Sequence, residues 1–105
     1  MTLDKNKSAV ISLDEAIEFT HSFQIDNPEA VKSFFAGSNK LNLILEQESC
    51  IGIRMYNGYD NDTNTVNLVL VGVDEQGEDI TDGVILERLI LCPTICPKSS
   101  PLINK

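Results

Sequence analysis

Residues 50–74, CIGIRMYNGYDNDTNTVNLVLVGVD, change the periodicity of the chain and decide its fold class. Successive side chains of an extended chain point to opposite faces, so a period of two marks a strand and a period near 3.6 marks a helix. Ile51, Ile53 and Met55 fall on one face while Cys50, Gly52, Arg54 and Tyr56 fall on the other, which predicts a strand with one apolar face. In residues 64–74 both faces are apolar, with Val66, Leu68 and Leu70 on one and Val69, Val71 and Val73 on the other. Such a strand belongs in the centre of a sheet, covered on both sides. The intervening NGYDNDTN, residues 57–64, is dense in turn formers and predicts a loop joining the two.

Downstream, VDEQGED at 73–79 predicts a second hairpin turn in which Gly77 supplies a positive φ, followed by a short strand at 78–81. Residues 84–91 read equally as a strand or as a short helix opened by Asp82. Upstream the period is helical. Ser12 and Glu15 have capping-box spacing before a helix over 13–24, whose stripe is Leu13, Ala16, Ile17, Thr20, Phe23 and Gln24, with His21 at its edge. Asn27 as cap and Pro28 at the first position predict a second short helix ending at Gly37. Ser38 then caps a third through residues 39–49, with Leu41, Ile44 and Leu45 on one side, although Leu41, Leu43 and Leu45 also alternate as a strand would.

The expected fold is therefore α+β, two or three N-terminal helices packed on one face of a small antiparallel β-sheet built from hairpins. One domain is expected over 1–105, with 1–10 a flexible N-terminus and 92–105 an irregular proline-rich tail. A chain of 105 residues that is 42% apolar and 23% charged can be stabilised by ordinary packing, so crosslinks and metals are optional.

The formal net charge is −8, and Asp60 to Glu87 holds eight acidic residues and no basic one. The eight Lys and Arg are scattered and never adjacent. Phosphate neutralisation needs them clustered, which argues against nucleic acid and an anionic membrane surface as partners. The acidity reads as solubility and turn chemistry. Asp14, Glu15 and Glu18 interrupt any leader-like apolar run, and no stretch spans a membrane. A cytoplasmic location follows as an expectation, with the three cysteines as thiols or metal ligands rather than a disulfide framework.

Cys92 and Cys96 stand in C-x3-C spacing between Pro93 and Pro97. Three readings stay open: half of a zinc site completed by Cys50 and His21, a redox or disulfide pair, or small apolar side chains that pin the tail to the body. DNDTNT, residues 60–65, places oxygens at the first, third and fifth positions of a calcium loop, but Thr65 stands where Gly is needed and Val71 where the bidentate Glu should be, so it reads as a turn. Phosphate-loop and dinucleotide motifs are absent from the sequence. Cys50 and His21 are the candidate nucleophile–base dyad, although nothing in their spacing requires it. Arg54, beside Gly52 and Tyr56, can bind a carboxylate-bearing partner, pair with Glu87, or extend to water.

Residues 50–85 followed by CPTIC, 92–96, resemble a group of small uncharacterised proteins of Bacteroidetes-type bacteria. Their pattern is G-C-x-G-I-R-x-Y, then L-V-L-V-G-V-D-x-x-G-x-D, then C-P-x-x-C. The likeness covers the C-terminal half well and the helical half loosely. It departs at Ser49, where the group tends to have Gly, and at the spacing to Cys96. It highlights Cys50, Gly52, Arg54, Tyr56, Gly72, Asp74, Gly77, Asp79, Cys92, Pro93 and Cys96, and implies a bacterial fold unit without a reaction. The functional expectation is a non-enzymatic cytoplasmic interaction module, self-associating or binding a protein partner through a strand edge or the Arg54 face. Its binding candidates are Arg54, Tyr56, Cys50, Cys92 and Cys96, and no catalytic residue or resident cofactor is assigned. The alternatives are a thiol-dependent protein, zinc-bound or redox, using Cys92 and Cys96 with Cys50, and an enzyme using Cys50 and His21.

Overall fold

The computed structural model describes residues 2–104. In chain order it contains α1 (Leu13–Asp26), β1 (Ser33–Phe35), α2 (Ser38–Leu45), β2 (Gly52–Asp60), β3 (Thr65–Val73), β4 (Ile85–Leu86) and β5 (Ile90–Cys92). The fold is α+β, with one antiparallel sheet in the order β2–β3–β4 and a second formed by β1 and β5.

The β2–β3 hairpin is the frame. Pairing runs without interruption from Gly52↔Val73 to Asp60↔Thr65, so Asn57 to Asp60, expected in the loop, belong to the ladder. The turn shrinks to residues 61–64. Asp60 Oδ1 accepts the backbone N–H groups of Asp62 and Thr63, and Asn64 takes a φ of 55°. Asp and Asn tolerate this geometry because their short side chains bond the nearby backbone, which lets so polar a stretch close a hairpin. β3 is central, as its two apolar faces require, and Leu70, Val71 and Val73 are buried.

α2 seats the core. Ile44 is fully buried and clusters with Leu70 and Leu89, ringed by Phe34, Leu41, Cys50, Ile53 and Leu68. Burying such a side chain contributes about 1.5–3 kcal/mol relative to exposure. Close approach depends on Gly72, where a Cβ would stand 3.1 Å from Cys50 Sγ and 3.2 Å from Ile44 Cγ2. Gln47, just past α2, donates to Ile44 O and accepts from Val84 N–H at 2.8 Å, tying the helix end to the segment entering β4.

Three local expectations change and one ambiguity, at 84–91, resolves. The second helix does not form: Asn27 instead ends α1, its backbone N–H and Nδ2 both donating to Phe23 O, and Ser33 to Phe35 pair with Cys92 to Ile90. Aromatic residues favour a pleated surface, and Phe34 turns inward between exposed Ser33 and Phe35. Gly37, not Ser38, occupies the cap of α2, and no side chain bonds there. The strand expected at 78–81 is a single bridge, Val73↔Asp79. Residues 84–91 form no helix; Arg88, at φ 63°, breaks them into β4 on the first sheet and β5 on the second.

The helices also part company. α2 lies on β2 and β3, whereas α1 bonds the C-terminal tail through His21 and Gln24, and Leu13 and Phe23 of its expected stripe are exposed. Gln24, 6% exposed, donates through Nε2 to Leu102 O at 3.1 Å and accepts Asn104 N–H at 2.7 Å. His21 Nε2 bonds Pro101 O at 2.9 Å. The radius of gyration, 15.4 Å, exceeds the ~13 Å usual at this length, consistent with α1 and the tail standing off the sheet.

Candidate functional site

Two chemical features gather on β2. The first is a polar cluster at its start. The period of the strand puts Arg54 and Tyr56 on one face, opposite Val71 and Val69. The following turn is built by Asp74, whose Oδ1 accepts Gln76 and Glu78 N–H, and by Gly77 at φ 83°, a conformation that costs an L side chain about 1–2 kcal/mol. That turn delivers Asp79 to the position opposite Val73. Arg54 Nη1 donates to Asp79 Oδ1 at 2.5 Å, Nη2 donates to Gly77 O at 3.3 Å, and the Tyr56 hydroxyl donates to Asp79 Oδ2.

Both carboxylate oxygens are therefore occupied. The Tyr56 hydroxyl and then the Arg54 guanidinium hold the Asp79 carboxyl below its ordinary range, and the same Tyr56–Asp79 bond raises the Tyr56 phenol. Arg54 is raised for the matching reason, its bond to Asp79. An ionised carboxylate doubly bound in this way acts as a latch between β2 and the 74–79 turn. Arg54 thus pairs with Asp79 rather than Glu87, which instead lies 3.8 Å from Arg88 Nε. Beside the latch a cavity of about 330 Å³ opens between Leu3–Ser8 and residues 51–54.

The second feature is the outer edge of β2. Its inner edge pairs with β3, and among the described residues no strand lies on the other side. Met55, Tyr56 and Tyr59 are exposed along it, at 61%, 46% and 57%. Met55 and Tyr59 share a face with Leu70 and Val66, their register partners on β3.

The cysteines divide. Cys92 and Cys96 form a disulfide, the bonded pair among the three readings of the C-x3-C spacing and not the open thiols or metal ligands expected of a cytoplasmic chain. Cys92 is fully buried in β5, so the bond fastens the start of the tail to the second sheet. The Cys50 thiol donates to Gly52 O at 3.2 Å and packs against the core, while His21 is held by Pro101, so the two do not bond each other. Among the described residues no group of three or more His, Cys, Asp or Glu side chains is arranged to hold a metal.

Residue patterns put Gln24 on the stripe of α1 without a bonding partner and give no role to Gln47, Asn67 or Asp79. Asn67 is buried with Nδ2 donating to Leu89 O, and a polar residue inside an apolar strand was its signal. Asp79 was marked solely by the resemblance. Gln24 and Gln47 carry no pattern that separates a backbone clamp from an ordinary helix glutamine. A scan against family models, a search of curated proteins and a search of solved structures each return no match.

Proposed function

We propose that the chain is a non-enzymatic protein-interaction module whose working surface is the outer edge of β2. The observation that carries the reading is a nine-residue strand that, among the described residues, is paired on one side only. An open edge presents a row of backbone donors and acceptors that adds a strand from a partner, and proteins that avoid this place Lys, Pro or a bulge there. β2 has no Lys or Pro, and its pairing with β3 runs straight. Arg54, its one basic residue, is turned to Asp79. A photo-crosslinking residue in place of Tyr59, compared with the same residue in place of exposed Ile95, tests the reading in cells. Adducts from position 59 and none from 95 support it; an absence of adducts at 59 contradicts it.

The disulfide favours a second reading, a thiol-dependent protein in which the Cys92–Cys96 bond opens and closes. Such bonds persist in oxidising compartments, so the cytoplasmic location belongs to the form with open thiols. Intact mass of the protein isolated from its source cells under thiol trapping distinguishes them: a two-hydrogen-lighter chain supports closure, and a fully reduced chain that resists oxidation opposes it. No helix among the described residues is long and apolar enough to cross a membrane, and the scattered basic residues remain the argument against nucleic acid.

A further inference from the structure

We infer that the occupant of the β2 edge is a second copy of this chain, paired antiparallel through residues 54–60 about a two-fold axis at Asn57. This rests on the reading of that edge as an interaction surface. A two-fold axis normal to the sheet keeps each face continuous, so paired residues must share a face and the axis must pass beside a residue rather than between two. Only a few registers satisfy this.

Centring on Tyr56 uses the whole strand, Gly52 to Asp60, but sets Arg54 opposite Gly58 and Asp60 opposite Gly52. It also requires the edge at Gly52 and Ile53, which line the cavity beside the N-terminal segment Leu3–Ser8, whereas the 54–60 stretch meets that cavity at Arg54 alone. Centring on Gly58 leaves Arg54 opposite Asp62 in the turn, outside the strand. Centring on Asn57 uses 54–60 and sets Arg54, held within its own chain by Asp79, opposite Asp60, whose Oδ1 accepts N–H groups of the 61–64 turn, so opposite charges lie across the seam at both ends without a new hydrogen bond being required. Met55 then faces Tyr59 twice. These are the two charged residues of β2 and two of its three exposed large apolar ones, and they match each other only in this register.

Charge also argues for a like partner. The chain carries −8 overall, yet β2 holds one acidic and one basic residue, so the edge is the locally neutral strip on which two acidic molecules can meet. Cross-strand aromatic–aliphatic pairs and opposite charges are the usual stabilising pairs of an antiparallel ladder. The product is a continuous six-stranded sheet in which two Met55–Tyr59 pairs flank a central Asn57–Asn57 pair on one face.

Cysteine placement reads the register directly. In the Asn57 register the two Asn57 residues face each other within disulfide reach, whereas the two Tyr56 residues are offset by two positions and lie beyond the ~7 Å Cα limit. Sedimentation of the full chain across a range of concentrations is combined with mild oxidation of Asn57→Cys and Tyr56→Cys, the parent chain serving as the control for native cysteines. The expected result is a monomer–dimer equilibrium, a linked dimer from Asn57→Cys, little from Tyr56→Cys, and loss of the dimer in Met55→Lys with an unchanged circular dichroism spectrum. A parent that stays monomeric throughout overturns the inference, as does preferential linking at Tyr56→Cys. In either case, a Tyr59 photo-adduct with a different protein retains the edge as an interaction surface and rejects the second copy.

Discussion

Asp79 has a specific acid signature because both of its oxygens are bonded in the fold. Its folded pKa lies below the unfolded value, so the latch stabilises the protein at and above the ordinary carboxylate range of ~4, and that contribution disappears as pH falls through the lowered value. Asp79→Asn should therefore destabilise at neutral pH, with the gap from the parent closing in acid, as followed by urea unfolding at several pH values. A gap independent of pH would separate the latch from the carboxylate charge. Gly72→Ala belongs to the same scale: a Cβ there would stand 2.9 Å from Gln47 Nε2, which is bonded to Ile44 O, and press on Cys50 and Ile44, and about 1–3 kcal/mol of stability should be lost in the same assay. The face shared by Arg54 and Tyr56 was legible from alternation. Their partner was not, because Asp79 reaches them only through the turn made by Asp74 and Gly77, and sequence spacing does not tell which of several acidic residues such a turn delivers. The glutamine clamps were hidden for a related reason: Gln24 and Gln47 bond backbone groups distant in sequence.

Among the elements, the two long strands and the first helix followed from periodicity and capping. Ser12 Oγ accepts Glu15 N–H at 3.1 Å, while the Glu15 carboxylate takes the Ser12 hydroxyl instead of the backbone donor that a full reciprocal box would use. Ser12→Ala should cost about 1 kcal/mol. Because α1 is held by the tail and not by the central sheet, hydrogen exchange should quicken in α1 and leave β3 unchanged. Uniform quickening would instead show one cooperative unit. The short pieces were misread where propensity and tertiary pairing disagree. Pro28 and Asn27 are good helix openers, yet Ser33 to Phe35 find β5 as a partner, and a three-residue strand has too few residues to show its period. Residues 84–91 were ambiguous because they serve two sheets, and Arg88 at positive φ marks the crossing.

At the scale of the whole molecule, α+β composition was readable and the arrangement of layers only in part. An amphipathic α1 needs a cover, but period alone does not say whether that cover is the sheet or the last residues of the chain. The Cys92–Cys96 bond closes a short loop at the root of that cover. Loop-closure entropy for so few residues is about 2 kcal/mol, so reduction should release the tail from α1 without unfolding the β2–β3 hairpin, seen as faster exchange in α1 and residues 98–104 alone. Global unfolding on reduction would make the bond essential to the sheet. The central claim, that residues 54–60 pair with a second copy of the chain, is tested most directly by amide exchange of the pure protein at low and high concentration. The account predicts protection of β2 amides that rises with concentration while α1 and β5 stay constant; β2 protection independent of concentration would contradict it.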